Sequence, residues 1–191
     1  MATALLAAGA TLTLAATGAL AAGESPPSAA VPHHEESARL GTPPRADVKP
    51  FESAKLSLTQ AISRAQSENR GKPLAARFEV WHGRPVYVIR TYSANQVWET
   101  RVDANSGETI GQPATVAKHA LGRQTQKEIE ALDNARASLT DAVNKAEQQQ
   151  GGKVIMARVK PVSGGASYDI DLVKNGRLHT AMVDAQSGQL R

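Results

Sequence analysis

The chain has no cysteine. That excludes disulfide staples, thiolate metal sites, cysteine nucleophiles and a lipid-modified cysteine together. Aromatic residues make up only 4% of the sequence, so each tryptophan or tyrosine on a surface is conspicuous. There is no long run of lysine and arginine. The formal charge of +4 is spread evenly over 191 residues, and nucleic acid is not an expected partner despite a pI near 9.5. No His-Glu-x-x-His occurs, and no serine–histidine–aspartate constellation can be assembled from neighbouring residues.

Residues 1–22 contain no charged side chain and end in Ala19-Leu20-Ala21-Ala22. This is the small-x-small pattern of a secretory signal peptide, although no basic residue stands near Met1. The alternative is a membrane anchor, which so much alanine and glycine would make poorly. The expectation is export to the periplasm or beyond, with no stable membrane insertion after cleavage. Residues 23–50 hold six of the ten prolines and are expected to form a flexible linker. Within it, His33-His34-Glu35-Glu36 is the one dense group of metal-capable side chains. Adjacent ligands on a proline-rich tether lack a supporting shell, so no metal site and no cofactor is assigned.

What the sequence does have is a repetition. Residues 51–110 and 132–191 align without a gap at an offset of 81. Ser57-Leu58-Thr59 falls on Ser138-Leu139-Thr140, Gly71-Lys72 on Gly152-Lys153, and Ala76-Arg77 on Ala157-Arg158. Tyr87 falls on Tyr168 and Ile89 on Ile170. Each copy opens with a helix signal: Ser57 with Gln60, and Ser138 with Asp141, spaced as capping boxes. Narrow stripes follow, Leu58/Ala61/Ile62/Ala65 and Leu139/Ala142/Val143/Ala146, stopped by Gly71-Lys72-Pro73 and Gly151-Gly152. Alternating strand patterns come next. Phe78 and Val80 alternate with Glu79 and Trp81, Tyr87 and Ile89 share a face, and Trp98, Thr100 and Val102 alternate with Glu99 and Arg101. The expected fold is α+β: two tandem α-β-β-β units, each a three-stranded antiparallel sheet with one helix packed on a face. Residues 111–131 are expected to be a helical bridge. The stretch Gln124–Gln150 reads either as one long helix or as two broken near Ser138. A 60-residue unit is marginal alone, so the two are expected to lean on each other.

Each copy closes on Val-Asp-Ala-x-Ser-Gly. Asp103, Gly107, Asp184 and Gly188 read as structural turn residues, the aspartate accepting backbone N–H groups and the glycine supplying positive φ. A catalytic or cation-binding aspartate would need a second carboxylate, and none stands at a supporting spacing. Trp81, Tyr92 and Trp98 are the candidate partner surface, with packing between the copies as the alternative for Trp81.

The alanine-rich helix with its glycine stop, the Tyr87-x-Ile89 and Tyr168-x-Ile170 strands and the closing Val-Asp-Ala-x-Ser-Gly together resemble the PepSY family, twice over. The family's units are similar to the propeptide of thermolysin-like metalloproteases and to modules of bacterial envelope proteins. The resemblance implies a non-enzymatic, inhibitory, chaperone-like or protein-binding role, through a sheet face or edge. Without a peptidase motif in the chain, a protease partner would be engaged in trans. A ligand- or metal-sensing module is the alternative reading.

Overall fold

The computed structural model describes residues 47–191. The signal-peptide segment, most of the proline-rich linker and His33–Glu36 lie outside the described residues. A short helix α1 (Val48–Glu52) precedes α2 (Leu58–Asn69), β1 (Lys72–Trp81), β2 (Arg84–Ser93) and β3 (Gln96–Asp103). Then come β4 (Ala114–Ala117), a 3-10 turn, α3 (Arg123–Asp133), α4 (Leu139–Gln150), β5 (Lys153–Val162), β6 (Gly165–Lys174) and β7 (Arg177–Asp184).

Local chemistry accounts for the main helices. Ser57 Oγ accepts from the Gln60 amide at 3.2 Å while Gln60 Oε1 accepts from the Ser57 amide at 2.8 Å. Ser138 and Asp141 repeat the reciprocal pair at 3.1 and 3.0 Å. The faces these caps set are buried: Leu58, Ala61, Ile62 and Ala65 in α2, and Leu139, Ala142, Val143 and Ala146 in α4. The alanines keep the helices close to the sheet. They pack on Ala76, Phe78, Tyr87 and Ile89 from the first half of the chain and on Ala157, Val159, Tyr168 and Ile170 from the second, within one core. The stretch Gln124–Gln150 is two helices, because the Ser138 cap ends the possibility of one.

The sheet corrects the expectation of separate three-stranded sheets. All seven strands form one antiparallel sheet in the order β4-β3-β2-β1-β5-β6-β7. The join is three residues long: Ala75, Ala76 and Arg77 face Arg158, Ala157 and Met156. Ala76 and Ala157 are equivalent under the 81-residue offset, so the pairing is isologous about that pair. Both strands carry a register shift at equivalent positions, Pro73/Ala75 and Val154/Met156. Each bulge bends its strand just outside the join.

Two further corrections concern the connecting segments. The residues expected as a helical bridge begin with a strand: β4 pairs with β3 from Gln96↔Ala117 to Glu99↔Ala114 before α3 starts. The end of the expected linker is α1, whose Phe51 is buried edge-on against Phe78 at 5.3 Å. Pro50 is tolerated there because the first turn of a helix needs no donor from it.

Candidate functional site

The two closing turns share one geometry. Asp103 Oδ1 accepts from the Asn105 and Ser106 amides at 2.8 and 2.9 Å, and the Gly107 amide donates to the Asp103 carbonyl at 2.9 Å. Asp184 Oδ1 accepts from Gln186 and Ser187 at 3.0 and 2.9 Å, and the Gly188 amide donates to the Asp184 carbonyl at 2.8 Å. Gly107 and Gly188 sit at φ of 76° and 68°. The backbone donors hold both carboxyls below the usual carboxylate range. Acceptors engaged this way are turn locks. Among the described residues, no three His, Cys, Asp or Glu side chains gather as a metal site would require.

The three aromatics singled out from the sequence are not brought together. Trp81 ends β1 on the face away from α2, under the Arg101 guanidinium at 5.5 Å and against the His82 ring at 4.5 Å. It lies at the β1–β2 hairpin, outside the three-residue join between the halves, so it does not fill that seam. Tyr92 is at the other end of the hairpin, where it pairs with Lys72. At about 3.3 Å per residue, the eight positions from Arg84 to Tyr92 separate the two aromatics by about 26 Å. The Tyr92 hydroxyl donates to Asn95 Oδ1 at 3.0 Å, with Lys118 Nζ 5.8 Å from the ring centre. Trp98 faces the opposite way from Trp81: it pairs with Thr91 and Thr115, on the helix side. It is half-covered there and its indole N–H has no acceptor.

Sequence reasoning missed the difference between the two sheet edges. On one side β4 covers β3. On the other β7 is the last strand. His179 stands where Trp98 stands in the first half, and the space beside it is open: a groove of about 500 Å³ lined by Gln150, Leu172, Lys174, Arg177 and His179, among others. Trp98 occupies the corresponding place on β3. The signal was present in the alignment as a tryptophan replaced by a histidine, but only the pairing with β4 gives it meaning.

With this geometry in place, comparison with known proteins gives a match to part of the chain. The PepSY family profile, "Peptidase propeptide and YPEB domain", matches residues 55–112, which run from just before α2 to just before β4. Such domains are found in protease propeptides and envelope proteins. Among solved structures, the crystal structure of a "putative lipoprotein" from Clostridium difficile 630 is similar at 18% identity, covering 73% of this chain and 92% of that one, with a TM-score of 0.43. No curated protein matches the chain. Among the described residues, no helix is long and apolar enough to cross a membrane.

Proposed function

We propose that the chain is an exported, non-enzymatic envelope protein built from two tandem PepSY-like units, serving as a protein-binding module that inhibits or regulates a protease in trans. The observation that carries this reading is the family match over 55–112 together with the recurrence of its elements at one offset. Helix α2 and strands β1, β2 and β3 start and end 81 residues before α4, β5, β6 and β7. The family match favours propeptide-like recognition, and the second set of elements, repeated at the same offset, favours a duplicate of it. Signal-peptide cleavage after residue 22 and periplasmic or secreted residence belong to the same proposal.

The test is direct. The full chain is titrated into secreted and periplasmic metallopeptidases, and activity and complex formation are followed together. The reading expects stoichiometric loss of activity, or a stable complex, with at least one of them. No inhibition, no complex and no envelope protein cross-linked to the chain in its host would remove it.

A further inference from the structure

We propose that the outer edge of β7 is the docking slot of this module, and that it takes an extended acidic segment of a partner protein as an added antiparallel strand. This rests on the protein-binding reading above and names the surface and the partner chemistry. The argument begins with which backbone groups are free. The Arg191 amide donates to the Met182 carbonyl at 2.7 Å from outside the sheet, as the Ile110 amide donates to Arg101 at 2.8 Å in the first half. Alternate residues of a strand turn their N–H and C=O to the same side. Leu178 and Thr180 share the side of Met182, so their backbone groups also point away from β6. In the first half the equivalent groups, on Val97 and Glu99, face β4. In the second half β7 is terminal, and no strand among the described residues covers Arg177–Thr180. The fold thus contains its own example of the proposed complex: four residues, Ala114–Ala117, seated antiparallel on the matching stretch of β3.

Charge selects the occupant. In the β4 example, Ala117 and Thr115 stand opposite Gln96 and Trp98. On β7 the corresponding positions are Arg177 and His179, both exposed. Together with Lys174 they line the groove on the helix side, and no carboxylate shares its wall. Lys174 Nζ already donates to the Gln150 carbonyl at 2.7 Å, which holds one positive charge at the groove's end. Glu52 Oε1 lies 3.9 Å from where a side chain on Gly176 would start, and Asp171, on the other face of the sheet, is already engaged by the Thr180 hydroxyl at 2.8 Å. Two copies of this chain joined edge to edge would crowd two basic sets together. A strand with acidic residues opposite Arg177 and His179 meets complementary charge and gains the main-chain bonds as well.

The experiment uses the isotope-labelled full chain and synthetic peptides copying residues 111–118, one unaltered and one carrying T115E and A117E. Amide exchange at Leu178 and Thr180, and peptide anisotropy, are measured at low and high salt. The acidic peptide is expected to slow exchange at those two amides and to bind about tenfold tighter than the unaltered one at low salt, as two exposed ion pairs allow. Arg177→Glu with Lys174→Glu should erase that preference, and Thr180→Pro should remove binding by deleting an outward donor. The proposal falls if neither peptide slows those amides at millimolar concentration, or if the preference survives the double charge reversal. It also falls if the amides are already protected in the free chain, which would mean that the residue 23–46 segment or a second copy occupies the edge. A chain that still inhibits a protease while its β7 edge stays untouched would overturn this inference and leave the broader reading standing. Failure of every protein complex alongside edge binding by the peptide would do the reverse.

Discussion

The hydroxyl of Tyr87 donates to the carbonyl of Leu56 at 2.7 Å, and 81 residues on, the hydroxyl of Tyr168 donates to the carbonyl of Ala137 at 2.5 Å. Each tyrosine is a fully buried strand residue that pins the loop entering the helix packed above it. The Tyr-x-Ile pattern is therefore an anchor between strand and helix entry, which explains why it recurs with the capping boxes. Tyr87→Phe leaves the Leu56 carbonyl without this donor in a part-buried site, at a cost of about 1 kcal/mol. Calorimetry should show a fall in Tm of about 2–4 °C for each kcal/mol lost, with Tyr168→Phe behaving alike.

The same burial sets an alkaline limit. Desolvation, with Asp141 adding to it, pushes the Tyr168 phenol up to about 12, and desolvation with Glu147 raises Tyr87 further. A folded pKa above the unfolded value of about 10 means stability that is complete below pH 10 and lost as pH rises toward the folded value. Unfolding midpoints should begin to drop above pH 10. The Y87F/Y168F double variant should show a shallower drop over that range, and equal slopes would contradict the assignment.

Gly152 is more constrained than its neighbours. Its φ is 95°, and a Cβ there would lie 2.5 Å from the Val173 carbonyl oxygen, a backbone atom that cannot swing aside. Gly152→Ala should cost more than about 1 kcal/mol. Gly83, also at positive φ but with open space around it, isolates the backbone contribution alone. Denaturant midpoints should rank wild type above Gly83→Ala and Gly83→Ala above Gly152→Ala.

The aspartate turns predict the acid limb. Backbone amides hold both Asp103 and Asp184 below the ordinary carboxylate range. A depressed folded pKa gives stability that is present above the unfolded value of about 3.9 and is lost as pH falls through the folded one. Asp103→Asn with Asp184→Asn should lower the midpoint at neutral pH, and the gap to wild type should close as the pH falls below the ordinary carboxylate range. Parallel curves across the acid range would show that the carboxylate charge contributes nothing to these turns.

What could be read in advance follows the range of the interaction. Caps and apolar stripes are local, and Ser57, Ser138, Leu58 and Leu139 signalled them with their own neighbours. Strand parity is local too: the alternation of Phe78 and Val80 with Glu79 and Trp81 is enough to put Trp81 on the face away from α2. The joining of both halves into one sheet was not legible, because it depends on three residues, Ala75–Arg77, whose alternation resembles that of any strand. Strand β4 escaped notice because four residues carry too little pattern to compete with a helical signal that follows at once. Trp81, Tyr92 and Trp98 were grouped by residue type alone, and type says nothing about distance until the register is known.

The short strand that went unread has the clearest single test. Val116 pairs with Val97 at the centre of β4, on the side of β3 where outward backbone groups need partners. Val116→Pro removes the donor, and a proline is poorly accommodated between paired strands. The loss should be local, about 1–3 kcal/mol spent on opening β4 rather than on melting the sheet. Trp98 would then lose the cover that Thr115 provides, so its fluorescence should shift to the red, while Trp81, at the far hairpin, reports no change. A Trp81→Phe background separates the two signals. With β4 detached, β3 presents an edge like that of β7 without the basic residues at the two matching positions. Concentration-dependent self-association in sedimentation is the expected consequence. An unshifted Trp98 emission and a strictly monomeric variant would show that β4 does not protect this edge.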